Sequence, residues 1–135
     1  MFAFAAPVWG GADYVDSLKN RAAQGEAKAQ TILGILYDEG RGVPQDYTEA
    51  LKWYRLAAAQ GDALAQYHLG LMYAKGYGVP QDHIEAHKWF TLAAASSTSK
   101  PNRDRAVQAC DKLAARMTPA QLAEAQKLAR EWKKQ

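Results

Sequence analysis

The chain contains one pattern written twice at a fixed distance. Residues 25–60 align with residues 61–96 without a gap, and 21 of the 36 aligned positions are identical. A period of this length is typical of helical solenoids, in which each repeat is a small unit that stacks on its neighbours. The repeat therefore predicts an all-α fold with two full units at its centre.

Each unit is predicted to contain two helices. Helix A covers about 26–39 and again 62–75, and helix B covers about 47–60 and again 83–96. Within helix A, the positions that stay constant between units return every three or four residues, so they share one face of the helix. This face is predicted to pack against the rest of the stack.

Repeated glycines and tryptophans indicate where the helices touch. Gly34 and Gly70 lie inside helix A, where each costs about 1 kcal/mol relative to alanine, so we expect a helix backbone or a Trp ring to press against them. Trp53 and Trp89 occupy one position of helix B and are predicted to belong to the core, because large aromatic side chains dominate core energetics. Trp132 is expected to seal the last helix on the stack.

The segment between the helices reads GRGVPQDYTEA at 40–50 and GYGVPQDHIEA at 76–86. Its paired glycines permit turn conformations that other residues avoid. Asp46 is a good N-cap, and Glu49 stands three positions later, as in a capping box. A phosphate-binding loop would need free N–H groups and a Lys at the helix start, whereas these carboxylates would repel an anion. The segment is therefore predicted to be a structural joint and not a nucleotide site.

The pattern Ala-x3-Leu-Gly-x2-Tyr-x2-Gly-x-Gly-Val-x2-Asp-x3-Ala-x2-Trp at 29–53 and 65–89 resembles the Sel-1-like repeat, a relative of the tetratricopeptide repeat. The resemblance implies a right-handed α/α superhelix of antiparallel helix pairs whose A helices line the concave face. It also implies an adaptor or scaffold role in protein complexes, and many bacterial members are exported.

The predicted organisation has five segments. They are a leader or signal-peptide remnant at 1–12, an N-terminal capping helix at 13–24, repeats at 25–60 and 61–96, and a degenerate C-terminal helix pair that acts as a cap at 97–135. The leader is short and apolar but lacks a basic start. A periplasmic or secreted location is expected on this ground, with the cytoplasm as the open alternative.

The C-terminal pair departs from the family pattern because the Gly-x-Gly joint is missing. A helix is predicted at 102–117 with Asn102 as its cap. Thr118, Pro119 and Gln121 then form a typical helix start, with Pro in the first turn. Residues 100–135 carry nine basic and four acidic side chains. Acidic residues interrupt the basic ones and no aromatics alternate with them, so a solvated face is expected here and not a nucleic-acid site.

Few residues suggest catalysis or metal binding. His83 and His87 are four apart on helix B, but no third ligand is evident and the spacing of Glu85 does not match a metalloprotease motif. Cys110, the only cysteine, has neighbours typical of a small buried side chain. No catalytic residue, metal, cofactor or membrane span is expected. A metal-dependent or hydrolytic enzyme that uses the two histidines, and a self-associating structural protein, remain alternatives.

The positions of helix A that differ between units predict a binding surface. Structure demands the constant positions, whereas recognition can shape the variable ones. Apolar side chains on a face expected to meet water would anchor a partner, with charged residues around them. The alternative is that neighbouring helices partly bury these apolar side chains. The predicted partner is another protein or peptide, and the chain is expected to be a monomer or a weak homo-oligomer. The predicted surface consists of Lys28, Thr31, Ile35, Asp38, Glu39, Leu64, Tyr67, His68, Leu71 and Lys75.

Overall fold

The structure is a computed structural model that describes residues 12–135. These residues form seven α-helices and no strand, and the predicted all-α solenoid is confirmed. The predicted leader falls almost entirely on residues 1–11, outside the described part. The helices are α1 (Ala12–Ala23), α2 (Ala27–Glu39), α3 (Tyr47–Ala59), α4 (Ala63–Lys75), α5 (His83–Ser96), α6 (Lys100–Ala114) and α7 (Pro119–Glu131).

Helices α1 to α6 stack in chain order. The closest pairs are α2 with α3 and α4 with α5, which are the A and B helices of the two repeats. Each pair also packs on the helix before it, so the core continues from unit to unit. Helix α4 contacts both α2 and α6. The outer surface that α2, α4 and α6 form together is called the A-helix face below.

Backbone hydrogen bonds fix the segment that joins each A helix to its B helix. Gly40 adopts a left-handed conformation (φ 69°) and its N–H donates to the carbonyl of Leu36, which ends α2. Asp46 then accepts a hydrogen bond from the N–H of Glu49. The reciprocal half of the predicted capping box is not formed, because the N–H of Asp46 already donates to the Tyr37 carbonyl at 2.9 Å. The joint is thus a structural element, as its sequence indicates.

The two mid-helix glycines are pressed by aromatic rings other than tryptophan. A Cβ atom on Gly34 would lie 2.6 Å from the ring of Tyr54, and one on Gly70 would lie 2.6 Å from the ring of Phe90. The expectation of a helix backbone or a Trp ring is therefore wrong. The Trp side chains leave helix B one residue earlier and point to the preceding unit, where Trp53 packs with the α1–α2 cluster.

Buried glutamines tie each A helix to the B helix before it. The side-chain amide of Gln30 donates to the Ala22 carbonyl, and that of Gln66 donates to the Ala58 carbonyl. Gln66 is completely buried. Because a buried amide without a partner is costly, these bonds explain why glutamine recurs at an interior position.

The C-terminal helices follow a different arrangement from the repeats, because α6 and α7 both pack chiefly on α5. Helix α6 begins at Lys100 with Ser99 as N-cap, so the expectation of Asn102 as the cap is wrong; a proline in the first turn favours this earlier start. The capping box of Thr118 and Gln121 is present. The rings of Trp132 and Trp89 meet edge to face, with their centroids 6.1 Å apart.

Candidate functional site

The ten residues predicted as one binding surface do not form a single groove. Three depressions hold most of them and a fourth, smaller one joins Leu64 to Tyr67, while Asp38, Glu39 and His68 line none of the four. Tyr67, Leu71 and Lys75 lie together between α4 and α6. Lys28, Thr31 and Leu64 lie at the other end of the A helices, beside residues 96–99. Ile35 lies with Tyr14 and Arg41 near α1.

Two of the predicted residues have structural roles in α2. Thr31 is 3% exposed, and its hydroxyl donates to the Ala27 carbonyl at 3.1 Å. Asp38 accepts a hydrogen bond from the hydroxyl of the fully buried Tyr54 at 3.0 Å. Burial, followed by the charge of Asp38, raises the pKa of Tyr54, so this tyrosine stays a neutral donor. Neither Thr31 nor Asp38 is therefore free to serve as an anchor or rim.

The change at Asp38 has a packing explanation. In the second unit Ala74 replaces Asp38 and Phe90 replaces Tyr54, so the carboxylate and the hydroxyl that bonds it are lost together. An apolar pair can replace a hydrogen-bonded pair at little cost, whereas losing one partner leaves the other unsatisfied. Difference between the units thus reflects packing here and not recognition.

The same replacement leaves an apolar floor in the second unit. A groove of about 590 Å³ lies between α4, α5 and α6, and is called the α4–α6 groove below. Its floor includes half-buried Tyr67 and Leu71 with buried Phe90 and Leu113. Tyr67 and Phe90 contact each other with ring centroids 5.6 Å apart. The groove is pre-formed and mostly apolar, which suits an apolar side chain of a partner.

Half of the groove comes from α6, which the sequence did not indicate. Helix α6 contributes Arg105, Gln108, Ala109, Lys112 and Leu113, and the turn after it contributes Arg116. The sequence predicts a solvated face for the basic residues of α6, because acidic residues interrupt them and no aromatics alternate with them. The available signal was the spacing of Arg105 and Lys112, since 105 and 112 fall on one side of a helix with 3.6 residues per turn.

His68 sits between two tyrosines on the A-helix face. Its ring stacks on Tyr54 at 5.1 Å with an interplanar angle of 6°, and meets Tyr67 edge-on at 5.8 Å. Burial lowers the pKa of His68 below its ordinary value of 6.5, and the nearby carboxylates of Asp38 and Glu39 oppose that effect. The ring is therefore neutral at pH 7 and acts as a packing group.

The histidines of the alternative metal site lie in different surroundings. His83 lines a surface depression with Gln121 of α7. His87 is 6% exposed and its Nδ1 lies 3.4 Å from the Thr91 hydroxyl. Burial lowers the pKa of His87 and raises that of the Cys110 thiol. Within the described part of the chain, no three His, Cys, Asp or Glu side chains are placed to hold a metal ion.

Comparison with known families decides the identity of the repeat. The model of the Sel1 repeat matches residues 27–62 and residues 63–97, which is just over half of the chain. The chain belongs to the Sel1 repeat family. The resemblance inferred from the repeated pattern is thereby confirmed, and Sel1 repeat proteins generally serve as protein-interaction scaffolds.

Relatives of this Sel1 repeat chain include bacterial proteins. The secretory immunoglobulin A-binding protein EsiB of Escherichia coli O6:H1 is 44% identical over 43 residues, which is 32% of this chain and 9% of EsiB. The crystal structure of c5321, described as a protective antigen of uropathogenic Escherichia coli with an SLR fold, matches with a TM-score of 0.82 and 32% identity over 89% of this chain and 25% of that one. A Sel1 repeat protein from Oxalobacter formigenes matches with a TM-score of 0.65 and 38% identity over 71% of both chains.

The Sel1 repeat chain spans only a small part of EsiB and a quarter of c5321. In the portion that the structure describes, every helix is too short or too polar to cross a bilayer.

Proposed function

We propose that this Sel1 repeat chain is a non-enzymatic scaffold that binds a peptide or helix of a partner protein on its A-helix face. The α4–α6 groove is the proposed binding site, and it is the observation that carries the proposal. It joins a pre-formed apolar floor to a polar rim, which is the usual anatomy of a site for an anchoring side chain. The name of EsiB, which specifies a protein ligand, is consistent with this role.

The predicted residues divide into those that fit this proposal and those that do not. Tyr67, Leu71 and Lys75 line the groove and are proposed to contact the partner. Leu64, which is 39% exposed, and Lys28 are proposed to extend the contact along the A helices. Ile35, Glu39 and His68 remain candidates at the margin of the same face, and Thr31 and Asp38 are set aside.

Site-specific photo-crosslinking tests the proposal. A benzophenone amino acid is introduced at Leu64 or Lys75 on the A-helix face, and at Leu56 on α3 as the control. Leu56 is 45% exposed and lines none of the described depressions, so it reports nonspecific crosslinking. We expect one partner protein to be crosslinked in cells from the first two positions and not from Leu56.

Binding of the captured partner, once purified, is then measured by calorimetry. Leu71→Ala is expected to weaken it at least about tenfold, which is the loss of one good anchor, while Leu56→Ala leaves it unchanged. Crosslinks that form from Leu56 alone would place the binding surface on the opposite face.

We further propose a periplasmic or secreted location. The apolar start of the sequence and the description of c5321 as a protective antigen support it. Fractionation of cells of the source organism, followed by immunoblotting, tests the location; recovery with cytoplasmic markers would contradict it.

A monomer or weak homo-oligomer is proposed for the isolated chain, and sedimentation velocity at several concentrations tests that state.

A further inference from the structure

We propose that the α4–α6 groove is specific for an acidic amphipathic helix of the partner protein. This inference rests on the proposed function and names the chemistry of the ligand. Four cations stand around the apolar floor, namely Lys75, Arg105, Lys112 and Arg116, and all four are exposed. No acidic residue lines the groove.

These cations are left without acidic partners inside the described part of the chain. None of the four has a carboxylate within 4.0 Å. Helix α6 does pair charges elsewhere, since Lys100 contacts Asp104 at 2.7 Å, and its other carboxylate, Asp111, does not line the groove. Lys75 of α4, Arg105 and Lys112 of α6 and Arg116 after α6 thus line the groove without a carboxylate partner.

The spacing of the cations favours a helical ligand. Arg105 and Lys112 lie on one side of α6, about 10 Å apart along its axis, and Arg116 lies in the turn that follows the helix. An amphipathic helix laid along the groove would place carboxylates at similar intervals beside an apolar stripe, which is the usual mode of helix recognition. A flat anionic membrane fits poorly, because Phe90 and Leu113, at 2% and 7% exposed, lie at the bottom of the groove.

The charges of the A-helix face also determine which side of the bound helix faces α6. The exposed Glu39 lies at the end of α2, on the other side of α4 from α6. Complementary charges determine orientation and association rate more than affinity. The acidic side of the bound helix is therefore assigned to α6, and its apolar stripe to Leu71 and Tyr67.

An unbiased peptide selection tests the inference. A display library of random 16-residue peptides is selected against the wild type, against Arg105→Glu/Lys112→Glu, and against Lys127→Glu/Lys133→Glu. The last variant has the same change in net charge, and both of its residues are exposed outside the groove. Circular dichroism verifies that each variant retains its helices.

We expect the wild type to enrich peptides that combine acidic residues with an apolar stripe. Their affinity should fall at least about tenfold in Arg105→Glu/Lys112→Glu and less than about twofold in the control. Raising NaCl from about 50 to 500 mM should also weaken binding, because exposed charges are screened.

The remaining outcomes contradict specific steps. Enriched peptides that are neutral or basic would overturn the acidic specificity and leave the proposed function standing. Peptides that lose affinity equally in the control variant would show general charge attraction and overturn the site. No enrichment with any variant would count against the proposed function itself. Binding to phosphatidylserine vesicles that Arg105→Glu/Lys112→Glu abolishes, without peptide enrichment, would assign the cations to a lipid surface.

Discussion

The contact between Gly70 and Phe90 limits which side chains α4 can tolerate at position 70. The ring lies where a Cβ atom would stand, at 2.6 Å, and a real Cβ cannot approach that closely. Alanine would improve helix propensity by about 1 kcal/mol, yet it would push α4 and α5 apart. Glycine is therefore favoured by packing against its own backbone preference, and the same holds for Gly34 with Tyr54.

Gly70→Ala is expected to destabilise the protein by about 1–2 kcal/mol, since overpacking exceeds the propensity gain. Urea unfolding measures the change. The matched variant Gly70→Ala/Phe90→Leu replaces the ring by a smaller side chain and should recover part of the loss. If Gly70→Ala is more stable than the wild type, the ring moves aside at little cost and the packing explanation fails.

The protonation of His68 links stability to pH. Its pKa is lowered in the folded state, first by burial, so below the ordinary value of 6.5 the unfolded chain binds more protons. Stability is therefore expected to be complete above pH 6.5 and to fall as the pH drops toward the folded-state pKa. Asp38, Glu39 and Asp62 reduce this effect, and Arg105 increases it.

Urea midpoints at pH 7.5 and pH 5.0 test this dependence. His68→Phe keeps a ring between Tyr54 and Tyr67 without a proton to bind, so its midpoint should fall less on acidification. His87 remains in this variant and, with its own lowered pKa, should preserve part of the fall. An equal fall in wild type and variant would remove His68 from the explanation.

At the element scale, identical residues of helices α3 and α5 differ in burial because α7 covers only α5. Leu56 is 45% exposed and Leu92 is 8% exposed, although both occupy one repeat position. Trp53 is half-buried, whereas Trp89 is 8% exposed beneath Trp132. The second repeat therefore buries more apolar surface than the first, although the residues compared are identical.

Trp89→Ala is expected to cost about 3–5 kcal/mol, as large-to-small core changes do. Trp53→Ala should cost less, about 1–3 kcal/mol, because its ring is only partly removed from water. Equilibrium unfolding in urea compares the two variants directly. Equal losses would mean that α7 adds nothing to the burial of Trp89.

The elements also divide into those that the sequence could predict and those that it could not. Helices α2 to α5 were predictable because their constant positions and their Asp46 and Asp82 caps occur twice. A close contact at Gly34 was predicted, but its aromatic partner was not. A glycine in a helix indicates that a neighbour approaches closely and does not indicate which residue that neighbour is. The α6 half of the groove was missed, since Arg105 and Lys112 belong to no repeat and their placement depends on how α6 packs on α5.

At the scale of the whole molecule, the fold is a chain of neighbouring contacts and not one central core. Three buried clusters follow one another, around α1 and α2, around α3 to α5, and between α5 and α6. In such stacks stability is the sum of unit and interface terms, and a change acts mainly on its neighbours. The C-terminal segment returns to the middle of the stack, since the N–H of Gln135 donates to the Ala59 carbonyl of α3 at 2.7 Å.

Removal of residues 132–135 tests this view of the molecule. Loss of Trp132 exposes Trp89 and is expected to destabilise the protein by about 2–3 kcal/mol, from the apolar area returned to water. Removal of 133–135 alone keeps the tryptophan and should cost under about 1 kcal/mol, since it loses one exposed-end hydrogen bond. Hydrogen exchange should show reduced protection in α5 and α7 while α1 and α2 stay unchanged, because they share no contact with the removed segment. A uniform loss of protection that includes α2 would instead describe a single cooperative unit, in which the ends of the stack depend on each other.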